Sequence, residues 1–514
     1  MGNGVLPRQT HTNIQFFSFA LIAIGMPSTK VLMSFGLVFA IANWVLEGGF
    51  SEKWNTIRSN RLLQLLIVFY LLLIIGLTWS WDAVQGLKDI KSRLPMLFLP
   101  LIMATGRTPM DVKQVHRLLQ LFLATLFVTS LFNVFYFHFN VDTLSAGDIR
   151  GLSRFASHIR YGLLIALGFG ICVWFQLQNK KIIPVYFLLA AWLAFYTIYS
   201  QVLSGTLALI SVAFTIVFYL LYKWKKMLAF ASLGLLVIMA GWILSYLLNP
   251  THEKIDCNKL PKYTANGQLY NHNCTIFSEI NGKAILAYYS EVELFLEWRK
   301  VSDMDFMGLD KKGELLRMTA ARYMTAMGLT KDAEGIKQLT PKDIKNIEDG
   351  YSYPNERTDM IVPRIYGLKY QILNNQFPNG HSLLQRLEHW KAATFIIQHE
   401  WATGVGTGGN QQAFDWAYDQ LNSPLNPENR LRSHNMYLAY AVSYGVLGIL
   451  LFLVILGVAF HYAWKNKDLL SLIFLMVICG SFLIEDTLET QLGVTMFGFF
   501  MGLLMYANRI SFRK

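Results

Sequence analysis

Long apolar runs recur along the chain, separated by shorter polar segments that are often basic. Several of these runs reach the roughly 20 residues that a helix needs to cross a lipid bilayer. We therefore predict an all-α polytopic membrane protein with about twelve transmembrane helices. The predicted spans are residues 16–26, 31–45, 62–79, 95–103, 118–137, 161–177, 183–199, 203–222, 228–248, 435–464, 469–484 and 492–507. The fourth is the weakest because it is short.

One long polar stretch, residues 249–433, interrupts this pattern. It divides the chain into an N-terminal bundle of about nine spans (1–248), a large loop domain (249–433) and a C-terminal bundle of about three spans (434–514). The loop is too rich in apolar and helix-forming residues to be a disordered linker. Thr340 suits the N-cap of a short helix that begins at Pro341. Helices are predicted at residues 284–298, 313–327, 341–347 and 383–401.

Composition supports the membrane assignment. Hydrophobic residues make up 54% of the chain and charged residues only 15%, whereas a soluble enzyme carries about a quarter charged residues. The formal net charge of +12 fits basic cytoplasmic loops and an anionic lipid substrate. It does not indicate nucleic-acid binding, because no compact basic domain or base-stacking motif stands out. We expect no cleavable signal peptide, because residues 1–12 are polar and the apolar pattern after them is repeated.

The distribution of Lys and Arg predicts the orientation of the protein. With the N-terminus inside, the basic loops after the even-numbered spans are cytoplasmic and the large loop is outside. Two short external loops break this bias. Basic residues on the disfavoured side fit an external phosphate, or else pair with lipid headgroups or loop carboxylates, and the sequence favours neither interpretation. These residues are Lys88, Lys91, Arg93, Arg150, Arg154 and Arg160.

His434 lies where the polar loop ends and the tenth span begins, with Arg430 and Arg432 just before it. A histidine in such a place can titrate near neutral pH and act as a general base. Arginines beside it can clamp a phosphate. A lone histidine at a helix start is more often a simple interfacial residue, and Arg364 and Arg386 are more often solvated than ligands, so position alone does not decide.

Acidic residues cluster at the external end of the eleventh span. Glu485, Asp486 and Glu489 could bind a cation, balance the arginines or form a solvated loop. We expect the solvated loop, because clustered acidic residues are usually hydrated.

Glycines and cysteines in the large loop give weaker signals. The glycine run at 404–409 lacks the Lys-Ser/Thr of a P-loop, so we expect a tight turn. Cys257 and Cys274 either form a disulfide outside the cell membrane or stay free, and their spacing does not decide. No His/Cys spacing indicates a metal site.

The chain has no nucleotide-binding signature. There is no Walker sequence and no Asp-rich pair for a metal-bound sugar nucleotide. A glycosyl transfer on the external side therefore needs a donor that is already in the membrane, such as a polyprenyl diphosphate sugar. Its leaving group is stable, so the protein need only bind it with arginines and deprotonate an acceptor hydroxyl. A transporter is the rival class, but it predicts mid-membrane charges and repeat symmetry that are not evident here.

Two motifs resemble the O-antigen ligase and O-antigen polymerase superfamily of bacterial inner-membrane proteins, over roughly residues 150–514. The ligase signature is His, then Asn, Ser or Gln, nine residues, then Gly and Val or Thr. His434-Asn435 and Gly445-Val446 match it in full. The second motif is an arginine before a tryptophan, followed by Gly-Val-Gly. It is matched by Arg386, Trp390, Gly404, Val405 and Gly406.

The resemblance implies a GT-C-like fold and a metal-independent, inverting transferase without a cofactor. A glycan would move from undecaprenyl diphosphate to a lipid A–core hydroxyl at the periplasmic face of the inner membrane. The resemblance makes His434 the candidate base and Arg386 a candidate diphosphate ligand. Apart from the resemblance, Arg432 and Arg364 are further candidate ligands of the diphosphate. Other candidate motif residues are Asn435, Gly445, Trp390, Gly404, Gly406 and Glu485.

The same resemblance leaves the acceptor open. A polymerase would use the same donor with a second lipid-linked repeat as acceptor, and a protein O-oligosaccharyltransferase would use a Ser or Thr. The polar loop resembles that of a subgroup with an enlarged periplasmic loop. The matched His434 signature favours the ligase.

The sequence departs from the family at one point. The family often carries a second essential arginine, in a Ser-Arg pair near the start of the eighth span. Here the equivalent region reads Leu203-Ser204-Gly205-Thr206 and has no arginine. We hypothesise that Arg154 or Arg160 replaces it.

Overall fold

The computed structural model describes residues 6–140, 152–179, 181–249, 255–355, 362–374, 378–379 and 382–511, without the side chains of 362–364 and 507–511. These residues form two compact units. The first unit comprises the described residues up to 140, those from 152 to 230 and those from Arg386 on, and the second comprises those between Ala231 and Gln385.

Most of the described chain is α-helical. In chain order, α1 to α10 are Arg8–Ser28, Lys30–Leu46, Phe50–Ser59, Arg61–Ile75, Ala83–Ser92, Leu94–Thr105, Val112–Phe139, His158–Gln178, Pro184–Tyr199 and Leu203–Trp224. The helices α11 to α16 are Lys226–Leu248, Glu291–Val301, Leu316–Ala326, Ala333–Lys337, Pro341–Glu348 and Val362–Asn374. The helices α17 to α21 are Ser382–His399, Asn410–Gln420, Met436–Lys465, Leu469–Ile484 and Gln491–Ser511.

Among the described residues, six helices are long and apolar enough to cross a membrane. They are Arg61–Trp79, which extends α4 by a 3₁₀ turn, and α7, α8, α10, α11 and α19. The pair α2 and α3 would add a seventh span with a bend of 111°. The helices α9, α20 and α21 are shorter and also apolar. Each predicted apolar run overlaps one of the helices, so the chain is a helical, multi-pass membrane protein.

Close backbone contact fixes the position of α8 beside α10. A Cβ atom added to Gly162 would lie 3.0 Å from the Cα atom of Gly205. Any side chain at Gly162 would therefore separate the two helices near their N-terminal ends, because protein interiors have no spare volume. This contact brings Arg160, in the first turn of α8, close to the start of α10.

The second unit contains a small helical core and one β-hairpin. Strands β1 (Asn273–Phe277) and β2 (Ala284–Leu286) pair antiparallel. The predicted helix at 284–298 was wrong in its first part, because that apolar segment pairs with β1 and the helix begins only at Glu291. Thr340 does cap α15, accepting a hydrogen bond from Asp343 N–H. The core is formed by buried apolar side chains, including Ile285, Leu294, Trp298, Phe306, Leu316, Tyr323 and Ile347.

A disulfide joins Cys257 to Cys274 in this unit, with the two Cα atoms 6.1 Å apart. The sequence left open whether these cysteines pair. The bond closes a loop at the start of the unit, and such a cross-link stabilises a small domain by restricting its unfolded chain.

Candidate active site

The segment around His434 is held by hydrogen bonds to its two neighbours in the sequence, Ser433 and Asn435. Trp390 donates its indole N–H to the Ser433 carbonyl at 3.0 Å. Asn435 caps α19 by accepting from Leu438 N–H, and it donates to the Leu483 carbonyl at 3.1 Å. His434 itself has a left-handed φ of 47°, which is uncommon for a residue with a side chain. The motif residues Trp390 and Asn435 thus fix the backbone that presents His434.

One face of α17 supplies three residues to this region. Arg386, His389 and Trp390 are spaced i, i+3 and i+4, so they lie on one side of the helix. His389 is buried, its Nε2 lies 3.0 Å from the Asn429 carbonyl oxygen, and its ring centroid is 5.5 Å from that of His434. Burial lowers the pKa of His389. This favours the neutral imidazole, which can donate from Nε2 to the carbonyl.

The acidic turn between α20 and α21 is buried, so the expected solvated loop was wrong. Side chains of Glu485 and Glu489 are only 5% and 4% exposed, and that of Asp486 is 11% exposed. Buried carboxylates need partners, since desolvation of an isolated charge is costly. Here the partners are arginines that come from distant parts of the sequence.

Glu485 and Asp486 each lie between an arginine and His434. The Arg386 Nη2 atom is 3.2 Å from Glu485 Oε1, and His434 Nδ1 is 3.8 Å from Glu485 Oε2. The Arg160 Nη2 atom is 3.7 Å from Asp486 Oδ1, which is 4.0 Å from His434 Nδ1. The two carboxylates therefore connect the candidate base to two of the predicted diphosphate ligands.

Glu489 joins two further arginines behind this pair. It contacts Arg432 directly, and its Oε1 lies 3.8 Å from Arg93 Nη2 and 3.3 Å from the Asn410 amide nitrogen. Burial raises the pKa of Glu489, Asp486 adds to the rise, and Arg432 and Arg93 oppose it. The charge on this carboxylate therefore depends on both arginines.

Arg93 was not among the predicted site residues. It is 3% exposed and also lies 3.5 Å from Asp89. The sequence did contain a signal, because Arg93 is one of the basic residues on the disfavoured side of the membrane. That signal did not separate it from Lys88 and Lys91, which are exposed.

The other predicted arginines are placed differently. The Arg154 guanidinium stacks over the Tyr136 ring at 4.2 Å, and no contact of its side chain with the acidic turn is seen in the described part of the chain. Arg430 pairs with Asp419 at 2.7 Å, away from His434. The side chain of Arg364 lies outside what the structure describes. Of the two candidate replacements, Arg160 is thus the one that reaches the cluster.

The Gly-Val-Gly motif and the glycine of the His signature fit together. Gly445 has φ 59° and ψ −156°, which breaks α19 and frees two carbonyls of its preceding turn. Val405 and Gly406 donate their N–H groups to the carbonyls of Val442 and Ser443, each at 2.9 Å. A Cβ on Gly404 would lie 2.4 Å from the Ser443 carbonyl carbon. The expected turn at 404–409 therefore also holds α19 in place through these backbone contacts.

A divalent cation could in principle be held by His434, Glu485 and Asp486. Their ligand atoms all lie within 4.8 Å of one another. However, Arg386 and Arg160 already compensate the two carboxylates, and a cation there would lie close to both guanidinium groups. The charges present therefore favour an anionic ligand that competes with the carboxylates for the arginines.

The cluster combines the groups needed to move a proton and to hold an anion. His434 is 28% exposed, which leaves its imidazole accessible, and Arg386 and Arg432 are 27% and 36% exposed. An accessible imidazole can take a proton, and exposed guanidinium groups can bind phosphate oxygens in pairs.

Comparison with known proteins gives a family match over part of the chain. No curated protein matches the chain. Residues 358–453 match the family model described as O-antigen ligase, and the matched segment contains Arg386, Trp390, His434 and Gly445. The match confirms, for residues 358–453, the resemblance found in the sequence.

Proposed function

We propose that the protein is an O-antigen ligase-type glycosyltransferase, which moves a glycan from undecaprenyl diphosphate to a hydroxyl of lipid A–core. One observation carries the proposal. The partly exposed His434 of the ligase signature lies 3.8–4.0 Å from two carboxylates that each bind an arginine from another part of the chain. Base and anion ligands thus occur in one cluster.

His434 is the proposed general base. Its Nδ1 atom faces Glu485 and Asp486, and a carboxylate beside one ring nitrogen favours the tautomer with its proton there. The Nε2 atom is then the acceptor for the proton of the attacking hydroxyl. The carboxylates would also stabilise the imidazolium that forms in this step.

Arg386 and Arg160 are the proposed ligands of the donor diphosphate. Each now contacts a carboxylate, at 3.2 and 3.7 Å, so a diphosphate would compete with Glu485 and Asp486 for them. Arg432, bound to Glu489, is 36% exposed and is a third ligand. Positive charge at the leaving group stabilises the diphosphate as the glycosidic bond breaks, without a metal ion.

Arg160 is the proposed replacement for the missing family arginine near Ser204. The contact of Gly162 with Gly205 places the first turn of α8 against the first turn of α10. Arg160, two residues before Gly162, can therefore reach the region where the family places an arginine of α10.

The test uses a strain that lacks this gene and is complemented with wild type, His434→Ala or His461→Ala. Lipopolysaccharide is run on a gel and the undecaprenyl-linked pool is analysed. General base catalysis contributes about 10²–10⁴-fold, so His434→Ala should leave the core bare while polymer accumulates on undecaprenyl diphosphate. His461 lies in α19 near its other end, and its variant controls for loss of a histidine in that helix.

Other results would reject the ligase assignment. Core carrying a single repeat in the deletion strain would identify a polymerase. Unchanged lipopolysaccharide with a shifted glycoprotein band would identify a protein acceptor. Wild-type activity in His434→Ala, with equal protein levels, would show that His434 is not the base.

A further inference from the structure

A cavity of about 130 Å³ lies next to Arg160. Its walls come from three places: the turn between α1 and α2, residues 155–160, and the start of α21. A water molecule occupies roughly 30 Å³ in the liquid, so the space holds a few waters or one phosphate group. Arg160 lines this cavity and also contacts Asp486, so the cavity adjoins the proposed active site.

Two cationic side chains line the cavity. One is Arg160, whose Nε atom is buried and has no hydrogen-bond partner among the described residues. The other is Lys30, the first residue of α2. The positive end of a helix dipole disfavours a lysine at this position. Lys30 is exposed, and no described side chain pairs with its ammonium group, so this group is free to contact an anion in the cavity.

The turn that carries Lys30 is firmly placed. A Cβ on Gly25 would lie 2.7 Å from the backbone nitrogen of Met33, so α1 and α2 touch backbone to backbone there. Gln491, which begins α21, donates from its side-chain amide to Ser34 Oγ at 2.8 Å. Because α21 directly follows the acidic turn, this hydrogen bond connects α2, which begins at Lys30, to the segment that contains Glu489.

The rest of the lining is partly apolar. Met26, Met33, Phe155 and Leu492 share the wall with the hydroxyl residues Thr29, Ser157 and Thr490. A small inorganic anion gains nothing from the apolar side chains, whereas a phosphate attached to a hydrocarbon chain can use both the cations and the apolar surface. The chemistry of the cavity therefore fits the phosphate end of a lipid.

We propose that Lys30 and Arg160 bind a phosphoryl group of a membrane-embedded lipid substrate in this cavity. The inference rests on the proposed function, in which both the undecaprenyl diphosphate donor and the lipid A–core acceptor carry phosphate. Arg160 would then contact the same lipid from the active-site side, and Lys30 would hold the phosphate that lies farther from His434.

Binding to purified protein in detergent tests the proposal without requiring transfer. The probes are undecaprenyl diphosphate without a glycan and, separately, lipid A–core. Affinity is measured for wild type, Lys30→Gln and Lys30→Arg. One charge-assisted contact is worth about tenfold in affinity, so Lys30→Gln should bind one probe about tenfold more weakly, and Lys30→Arg should restore most of the loss.

A matched control is Lys88→Gln, which removes an exposed lysine of α5 that lies outside the cavity. It should bind both probes as wild type does. Thermal stability without lipid gives a second control. A structural role for Lys30 predicts a lower melting temperature in Lys30→Gln, whereas the dipole argument predicts an equal or slightly higher one.

The two probes identify the source of the phosphate. Weaker binding of undecaprenyl diphosphate alone assigns the cavity to the donor, and weaker binding of lipid A–core alone assigns it to the acceptor. Equal affinity of Lys30→Gln and wild type for both probes overturns the inference. Lys30-dependent binding by the wild-type protein, together with failure of wild type to restore glycan transfer in the deletion strain, would keep this site and reject the proposed reaction, so the two failures are distinguishable.

Discussion

The first unit contains two buried charge clusters, and they are built in different ways. Near the end of α2, Glu47 accepts from the backbone N–H and the hydroxyl of Thr108, both at 2.7 Å, and lies 3.3 Å from Lys53 Nζ. Lys53 also donates to the Trp44 carbonyl. Both charged side chains are at most 5% exposed. Every charged group in this cluster has a protein partner at close range.

At the acidic turn, Arg386 and Arg432 contact carboxylates closely, but His434, Arg160 and Arg93 have longer contacts and open positions. The distances that join His434, Arg160 and Arg93 to carboxylates run from 3.5 to 4.0 Å. Buried nitrogens of these three residues have no hydrogen-bond partner among the described residues. Partly satisfied polar networks are costly, so this arrangement is expected where a ligand completes it. The Glu47 cluster, by comparison, is complete and structural.

The largest expected effect is on stability, and it comes from the Glu47 cluster. Glu47→Ala leaves Lys53 buried without its carboxylate, and removing one partner of a buried pair costs about 3–5 kcal/mol. We expect a much smaller folded fraction after detergent extraction, measured by size-exclusion chromatography and thermal melting. The transfer rate per folded molecule should stay at the wild-type value.

Glu52→Ala is the matched control for that variant. Glu52 pairs with Arg107 at 3.0 Å, but its side chain is 66% exposed, and exposed pairs contribute only about 0–1 kcal/mol. Similar destabilisation by both variants would contradict the structural interpretation of the Glu47 cluster.

The next effect separates Arg160 from Arg154, the two candidate replacements for the missing family arginine. Arg160→Gln should raise the KM for the donor about tenfold or more, because a charge-assisted contact to phosphate is lost. Arg154→Gln should have little effect on that KM, since Arg154 stacks on Tyr136. Initial rates at varied donor concentration measure both. Full activity in both variants would remove the hypothesis that either replaces the missing family arginine.

The smallest effect concerns metal. We expect EDTA to leave the transfer rate unchanged, because Arg386 and Arg160 already compensate Glu485 and Asp486. Activity that is lost with EDTA and restored by Mg²⁺ or Mn²⁺ would instead show that the spacing of His434, Glu485 and Asp486 holds a functional ion.

Hydropathy predicted the helices of the first unit well, because a membrane span needs a long apolar run whatever it packs against. The large loop was harder. Ala284–Leu286 is apolar and short, and such runs do not distinguish a strand from a helix. Its pairing with Asn273–Phe277 decided the outcome, and that contact is not visible in the local pattern.

The candidate site was predictable only in part. The spacing of His434 and Gly445 identified a motif, and the arginine before Trp390 identified a second. Burial of Glu485 and Glu489 was not predictable, because their partners lie far away in sequence. In the sequence, a turn with three carboxylates is typical of a solvated loop. In the folded chain, four arginines from four segments surround it.

The two carboxylate partners of Arg93 also have a consequence for how the chain is made. Glu489 is synthesised roughly 400 residues after Arg93, which at about 5–20 residues per second is a delay of roughly 20–80 seconds. During that time Arg93, at the start of an apolar helix, must already be accommodated at the membrane. Asp89, only four residues earlier and 3.5 Å away, emerges from the ribosome before it. Asp89 is therefore the partner available to Arg93 during synthesis, and Glu489 joins once the last helices have been inserted.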